Sequence, residues 1–243
     1  MKKITIILLM LCSTFGFSQT WFDLGIKGGV GGGFLLNNIV NSDSRFSVLP
    51  QMNNFYGGKV GVNFGEMFGI AFDVDYGTYN YGFSQSKVIG QDQSATYNYK
   101  IKYNALNVMP AFRYTKEASY VEIGPQFSFT KNHSIDDEAN GGSASFAEEA
   151  INPSLKGLVF GFGGHVIGND IIALMMGLRF NYVFSNLTSY IYEGTTFPFS
   201  NYPDITAVSS SNPLNVQLVF ELNYSLGYIV RASCGRRTSF LSF

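Results

Sequence analysis

The sequence predicts an all-β fold, an eight-stranded antiparallel up-and-down transmembrane β-barrel. Three observations predict it. Apolar and polar residues alternate along eight segments, the period-two mark of strands with unlike faces. One face is bulky and apolar, while the other is small or charged. The connections between segments run alternately long and short. Composition agrees: of 243 residues only 14% are charged, against roughly a quarter in soluble domains, and 16% are aromatic. The formal charge of −1 provides no basic excess for a phosphate backbone, so no nucleic-acid partner is expected. Two cysteines build neither a disulfide-dense scaffold nor a cysteine-based zinc module.

Residues 1–18 read as a cleaved signal peptide. Lys2 and Lys3 precede the apolar run Ile4 to Leu11, and the small or polar Ser13, Thr14, Gly16 and Ser18 follow. That core is too short for a spanning helix, which needs about 20 residues. Leu11 is too large before Cys12 for a lipoprotein signal. Cleavage after Ser18 leaves Gln19 first, and the 16 basic residues fall to 14 against 17 acidic, a net charge of −3. The one remaining cysteine, Cys234, has no internal partner and reads as an inert thiol.

The strands follow in order. Phe22, Leu24 and Ile26 alternate with Asp23, Gly25 and Lys27. Val60, Val62 and Phe64 alternate with Lys59, Gly61 and Asn63. Phe68, Ile70, Phe72, Val74 and Tyr76 oppose Gly69, Ala71, Asp73 and Asp75. Leu106, Val108 and Phe112 share a face opposite Asn107 and Arg113. In the second half Val121, Ile123, Phe127 and Phe129 oppose Glu122, Gly124, Gln126 and Ser128. Leu158, Phe160 and Phe162 oppose Gly157, Gly161 and Gly163. Ile172, Leu174, Met176, Leu178 and Phe180 oppose Ala173, Gly177, Arg179 and Asn181. Last, Val216, Leu218, Phe220, Leu222 and Tyr224 oppose Asn215, Gln217, Glu221 and Asn223.

An eight-stranded interior is just wide enough to be filled by side chains, and the Phe-rich face would overfill it. The small and polar face therefore points inward and the apolar face meets lipid. Closure satisfies every backbone group, as hydrocarbon requires. The connections fall at about 35–52, 65–67, 84–95, 115–118, 131–153, 167–170 and 186–213. The short ones carry turn signals at Gly65-Glu66 and Gly168-Asn169-Asp170. Long loops on one side and tight turns on the other place both termini in the periplasm.

The segments "LGIKGGVGGGF", "LNVMPAFRYT", "SYVEIGPQFSFT" and "GLRFNYVFSNLTS" resemble the PorT-like outer-membrane β-barrel family of the Bacteroidetes. The likeness spans nearly the whole mature chain and implies fold and location rather than an activity. The family name derives from a secretion-system component, which implies envelope or secretion proteins as partners. Such barrels commonly end at the last strand, whereas here "SLGYIVRASCGRRTSFLSF" runs on past Tyr224. The last strand is expected to reach Val230, with a periplasmic tail at 231–243 carrying Arg231, Arg236 and Arg237.

The inward set is Asp23, Lys27, Lys59, Asp73, Asp75, Arg113, Glu122, Arg179 and Glu221, read as a charge network that fills the lumen. His133 is expected in the third long loop beside Asp136, Asp137 and Glu138, and His165 at a periplasmic strand end. No G-x-S-x-G, H-E-x-x-H or phosphate-cradling loop is present. Gly28 to Gly33 continue a strand, so close strand packing or a kink explains that run. Tyr190, Tyr192, Phe197, Phe199 and Tyr202, with Pro198, Pro203 and Pro213, make the fourth long loop a contact surface for a partner or glycan, or else a cap or lipid-facing rim. The expected role is structural or interactive, without catalysis, cofactor or metal. Two alternatives are a small outer-membrane enzyme acting on lipid or peptide, with His133 as its seed, and a soluble periplasmic lipid-binding barrel.

Overall fold

A computed structural model describes residues 20–65, 67–88, 94–138, 142–144, 151–169, 171–188 and 210–226. The elements are β1 (Thr20–Asn37), α1 (Asn38–Ser42), β2 (Phe46–Leu49), β3 (Gln51–Phe64), β4 (Phe68–Val88), β5 (Ser94–Lys116), β6 (Ser119–Asp137), β7 (Gly142–Ala144), β8 (Ser154–Gly168), β9 (Ile172–Val183) and β10 (Ser211–Leu226). Eight of the strands form a ring in the order β1, β3, β4, β5, β6, β8, β9, β10, every pair antiparallel. β1 returns to β10 from Phe22–Leu226 to Asn37–Ser211 and closes it. β2 and β7 lie off the ring, paired to β4 and β6.

The apolar face is outside. Ile26 is 66% exposed and Phe72 49%, as are Phe22, Leu24, Ile70, Val74, Leu106, Phe112, Ile123, Phe127, Phe160 and Phe220 to comparable degrees. Phe68 to Tyr76 covers about 27 Å of strand, which at a tilt of roughly 40° makes a belt about 20 Å tall, near the ~25 Å apolar band of membrane barrels. Tight turns join the strands at the end bearing the termini. Gly65 and Gly168 adopt positive φ there (67° and 143°), and Glu117 does so at 54°. Asn169 Oδ1 accepts from the N–H groups of Ile171 and Ile172, an Asx turn replacing the missing ladder partners.

At the other end the strands run further than alternation indicates. Three expected long connections are partly strand. The region 35–52 holds the end of β1, the helix α1 capped by Asn37, and β2. Pro50 marks the break between β2 and β3, where the register against β4 changes by one residue. The region 84–95 shrinks to a connection at 89–93, because β4 and β5 stay paired out to Val88 and Ser94. β6 continues to Asp137, taking in the first part of 131–153.

The reason is an exchange of polarity between the faces. Along β4 the outward residues turn from apolar (Phe68 to Tyr76) to polar (Thr78, Asn80, Ser84), while Tyr79, Tyr81 and Phe83 point inward and are buried. β5 does the same with Tyr99, Ile101 and Tyr103. These rings form an apolar core with Leu35, Val40, Phe46, Ile135, Ile151, Leu155, Val183 and Leu187. Phe83 stacks on Tyr99 at 4.9 Å, and Tyr103 stacks on both Tyr79 and Tyr81. A strand whose apolar face looks outward belongs in lipid; one whose apolar face looks inward belongs in water.

The closed ladder gives a direct expectation. Extracted with detergent and left unboiled, the protein should run on SDS gels as a compact band that shifts on heating. Recovery in a soluble fraction without detergent would mean that the exposed apolar belt does not face lipid.

Candidate functional site

The lumen is filled in three storeys. Nearest the termini lie Trp21, Asp23, Asn63, Thr115, His165, Met175, Asn223 and Ser225 around a small polar space. Asp23 accepts from Ser225 Oγ and Asn63 Nδ2, both at 2.9 Å. Trp21 Nε1 donates to the Gly65 carbonyl across the mouth.

The middle storey is an ion-pair network. Glu221 meets Lys59 at 2.6 Å, Arg113 at 2.8 Å and Lys27 at 3.0 Å. Glu122 meets Arg113 at 2.6 Å, Arg179 at 3.0 Å and Lys27 at 3.9 Å. Asp73 joins Lys27 and Arg179, each at 2.5 Å, and Asp75 joins Arg179 at 3.1 Å. Four cations thus share four carboxylates, all with side chains no more than 6% exposed. Arg113 also lies over the Tyr120 ring at 4.3 Å, and Arg179 faces Phe55 at 5.8 Å.

Above the charges is an amide and phenol layer. Asn215 Oδ1 accepts from Asn53 Nδ2 at 2.7 Å and from the Tyr81 hydroxyl at 2.8 Å. Asn107 Nδ2 donates to the Tyr79 oxygen at 2.6 Å. The apolar core then seals the far end.

All nine residues read from the sequence as inward are buried inside the ring, and eight of them are ion-paired to one another. Asp23 differs: among the described residues it forms no ion pair and rests on neutral donors. The sequence reading did not single out the Asn and Gln tier, Tyr120 or Phe55. The first was visible as inward-phase amides at 53, 107, 126, 181, 215 and 217. The rings were obscured because an aromatic in the inward phase breaks the alternation. Glycine opposite them is the missing signal. A Cβ on Gly29 would strike the Phe55 ring, one on Gly177 would meet the Tyr120 hydroxyl, and one on Gly161 would meet Glu122 Cγ at 2.9 Å. Close packing between neighbouring strands therefore accounts for Gly29 in the glycine-rich start.

His133 is not in a loop. It lies on β6 beside a bulge, where Asn132 takes φ 51° and the register against β5 shifts. Asp136 pairs in register with Lys100, and Glu138 Oε2 accepts from the Asn98 N–H. Among the described residues no three His, Cys, Asp or Glu side chains gather as a metal site. His165 is buried on β8, its Nδ1 3.3 Å from the Ala118 carbonyl oxygen. Residues 1–18, Cys234, the tail at 231–243 and the loop aromatics Tyr190, Tyr192, Phe197, Phe199 and Tyr202 lie outside the described residues.

Residues 17–189 match the family model described as outer membrane protein beta-barrel domain. No curated protein matches the chain. Among solved structures the chain is similar to Neisserial surface protein A, at 14% identity and TM-score 0.42, over 82% of this chain and 96% of that one. It is also similar to the outer membrane protein OprG from Pseudomonas aeruginosa, at 10% identity and TM-score 0.40, over 86% and 98% of the two chains. A third is the outer membrane protease OmpT from Escherichia coli, at 9% identity and TM-score 0.39, over 87% and 99%.

Removing one partner of a buried pair leaves its mates uncompensated. Glu221→Gln should lower unfolding stability in lipid vesicles by about 3–5 kcal/mol, since it strands Lys59 and takes one partner each from Arg113 and Lys27. Asp23→Asn, which loses no ion pair, should cost markedly less. Equal losses in urea titrations of the two variants would contradict the assignment of the network.

Proposed function

The chain belongs to the outer membrane protein beta-barrel domain family, and from that premise we propose a structural or interactive role without catalysis. It is an integral outer-membrane β-barrel. The observation that carries the reading is the lumen: ion pairs, amides and an apolar core fill it in succession from one mouth to the other. A ring packed in this way acts as a solid post that fixes loops on a membrane surface, rather than as a conduit. Both termini then lie in the periplasm, with the signal peptide at 1–18 removed and the far apolar core standing outside the cell. The short turns at the terminal end and the water-adapted polarity at the other support this orientation.

The likeness of the strand motifs to PorT-like barrels supports membership of a larger envelope or secretion assembly. The aromatic segment 190–202, which lies between β9 and β10 in the sequence, supplies the contact surface in this reading. On blue-native gels of a mild-detergent envelope extract, the protein should run well above the mass of a single barrel. Migration as a free monomer would remove the assembly. In planar bilayers the purified protein should give no sustained current, and stable conductance steps would replace the post with a transport role.

A further inference from the structure

We propose that the outer wall of β5, β6 and β8 binds a phosphorylated, multiply acylated glycolipid of the outer leaflet. The inference rests on the orientation proposed above. Lys102, Lys131 and Lys156 are exposed on the outside of these three adjacent strands, at the edge of the apolar belt. Lys131 follows Phe129 on the outward face of β6, and Lys156 precedes Leu158 on that of β8. Their ladder partners bring no countercharge: Lys102 lies between Asn80 and Ser134, Lys131 opposite Asn104, and Lys156 opposite Phe127. The nearest described carboxylate along β6, Asp136, is already opposite Lys100. Lysines at a belt edge lay their stems on apolar surface and lift the ammonium into the headgroup layer.

The wall beneath them is recessed. An open groove of about 840 Å³ is lined by Val121, Phe160, Phe162, Gly163, Met176 and Leu178. Gly163 and Gly177, paired across β8 and β9, point into the lumen, so the recess lies among the outward side chains themselves. Lys156, Leu158, Phe160 and Phe162 share one outward face, and the six-residue interval covers about 20 Å, the reach of a long acyl chain. A cation above an acyl-sized groove on the same strand calls for an anionic lipid. The spread of the cations narrows the class. Lys102 and Lys131 are diagonal neighbours about 7–8 Å apart, while Lys156 is four ladder positions from the level of Lys131, about 13 Å along the strand. One phosphate cannot reach all three, whereas a sugar headgroup phosphorylated at two separated positions can.

Native mass spectrometry of the full mature chain in detergent tests this, with diphosphoryl lipid A, dimyristoylphosphatidylglycerol and inorganic phosphate as probes. Lipid A should bind about tenfold or more tightly than phosphatidylglycerol, and the triple variant Lys102→Gln, Lys131→Gln, Lys156→Gln should lose that margin while keeping its heat-shifted band. Leu178→Trp, which fills the groove, should weaken lipid A as well. Undiminished affinity in the triple variant overturns the site. Phosphatidylglycerol binding as tightly, or inorganic phosphate displacing the lipid, overturns the glycolipid as its occupant. Affinity in detergent does not depend on which way the barrel faces. The orientation is read separately, by labelling Ser44→Cys, exposed between α1 and β2, in a Cys234→Ser background in intact cells with an impermeant maleimide. Label absent with lipid A binding intact would overturn the orientation, and with it the outer-leaflet source.

Discussion

Eight charged side chains share the inside of a ring whose outside is hydrocarbon, and all of them are buried from bulk solvent. Removing a carboxylate or ammonium from water costs several kcal/mol even after relaxation, so each must be met by opposite charge at hydrogen-bonding distance. Glu221 and Glu122 are the hubs, each touching three cations. The network draws on β1, β3, β4, β5, β6, β9 and β10, seven of the eight ring strands. Lys27–Glu221 and Arg113–Glu122 join ladder partners and the other contacts cross the ring, so together they fix register as well as charge. A one-residue slip of any of these strands would turn its ion out toward lipid.

The remaining ring strand, β8, contributes space. Gly161 leaves the volume that Glu122 occupies, and Gly163 and Gly177 leave room for the Tyr120 ring that covers Arg113. Inward charges, inward glycines and outward phenylalanines are therefore one constraint seen from three sides. Large polar heads can converge only where neighbouring wall positions give up their side chains. The apolar bulk displaced from the lumen is what the lipid belt is made of.

The belt was legible in the sequence because it repeats with period two and carries one polarity. Phe68 to Tyr76 against Gly69 to Asp75 admits no other reading. The network members were legible for the same reason, each being a charge in the inward phase. The pairing among them was not, since Lys27 and Asp73, or Arg113 and Glu221, are brought together by curvature of the whole ring. Nor were the true strand ends. Tyr79, Tyr81 and Phe83 keep the period, but they put apolar residues in the phase that was polar below, so alternation seems to stop where it only changes sign. His133 went astray with them, since the bulge at Asn132 displaces the phase just before it.

That change of sign is the most useful boundary in the molecule. It occurs on β4 between Tyr76 and Tyr79 and on β5 between Leu106 and Tyr103, which the ladder places side by side. The β4–β5 ladder runs through it without a break or shift, while the register of β5 against β6 shifts beside it at Lys102 and Asn104; one hydrogen-bonded sheet crosses from one solvent into another. Below that line, stability against lipid comes from charges sealed inside. Above it, stability in water comes from a packed aromatic core of the kind found in soluble domains. The two regimes share the same strands, so a platform built on the upper core inherits the rigidity of the ion-paired ring beneath. A surface intended to hold a partner or an ordered lipid gains from such a base, because it has little conformational freedom left to lose on binding.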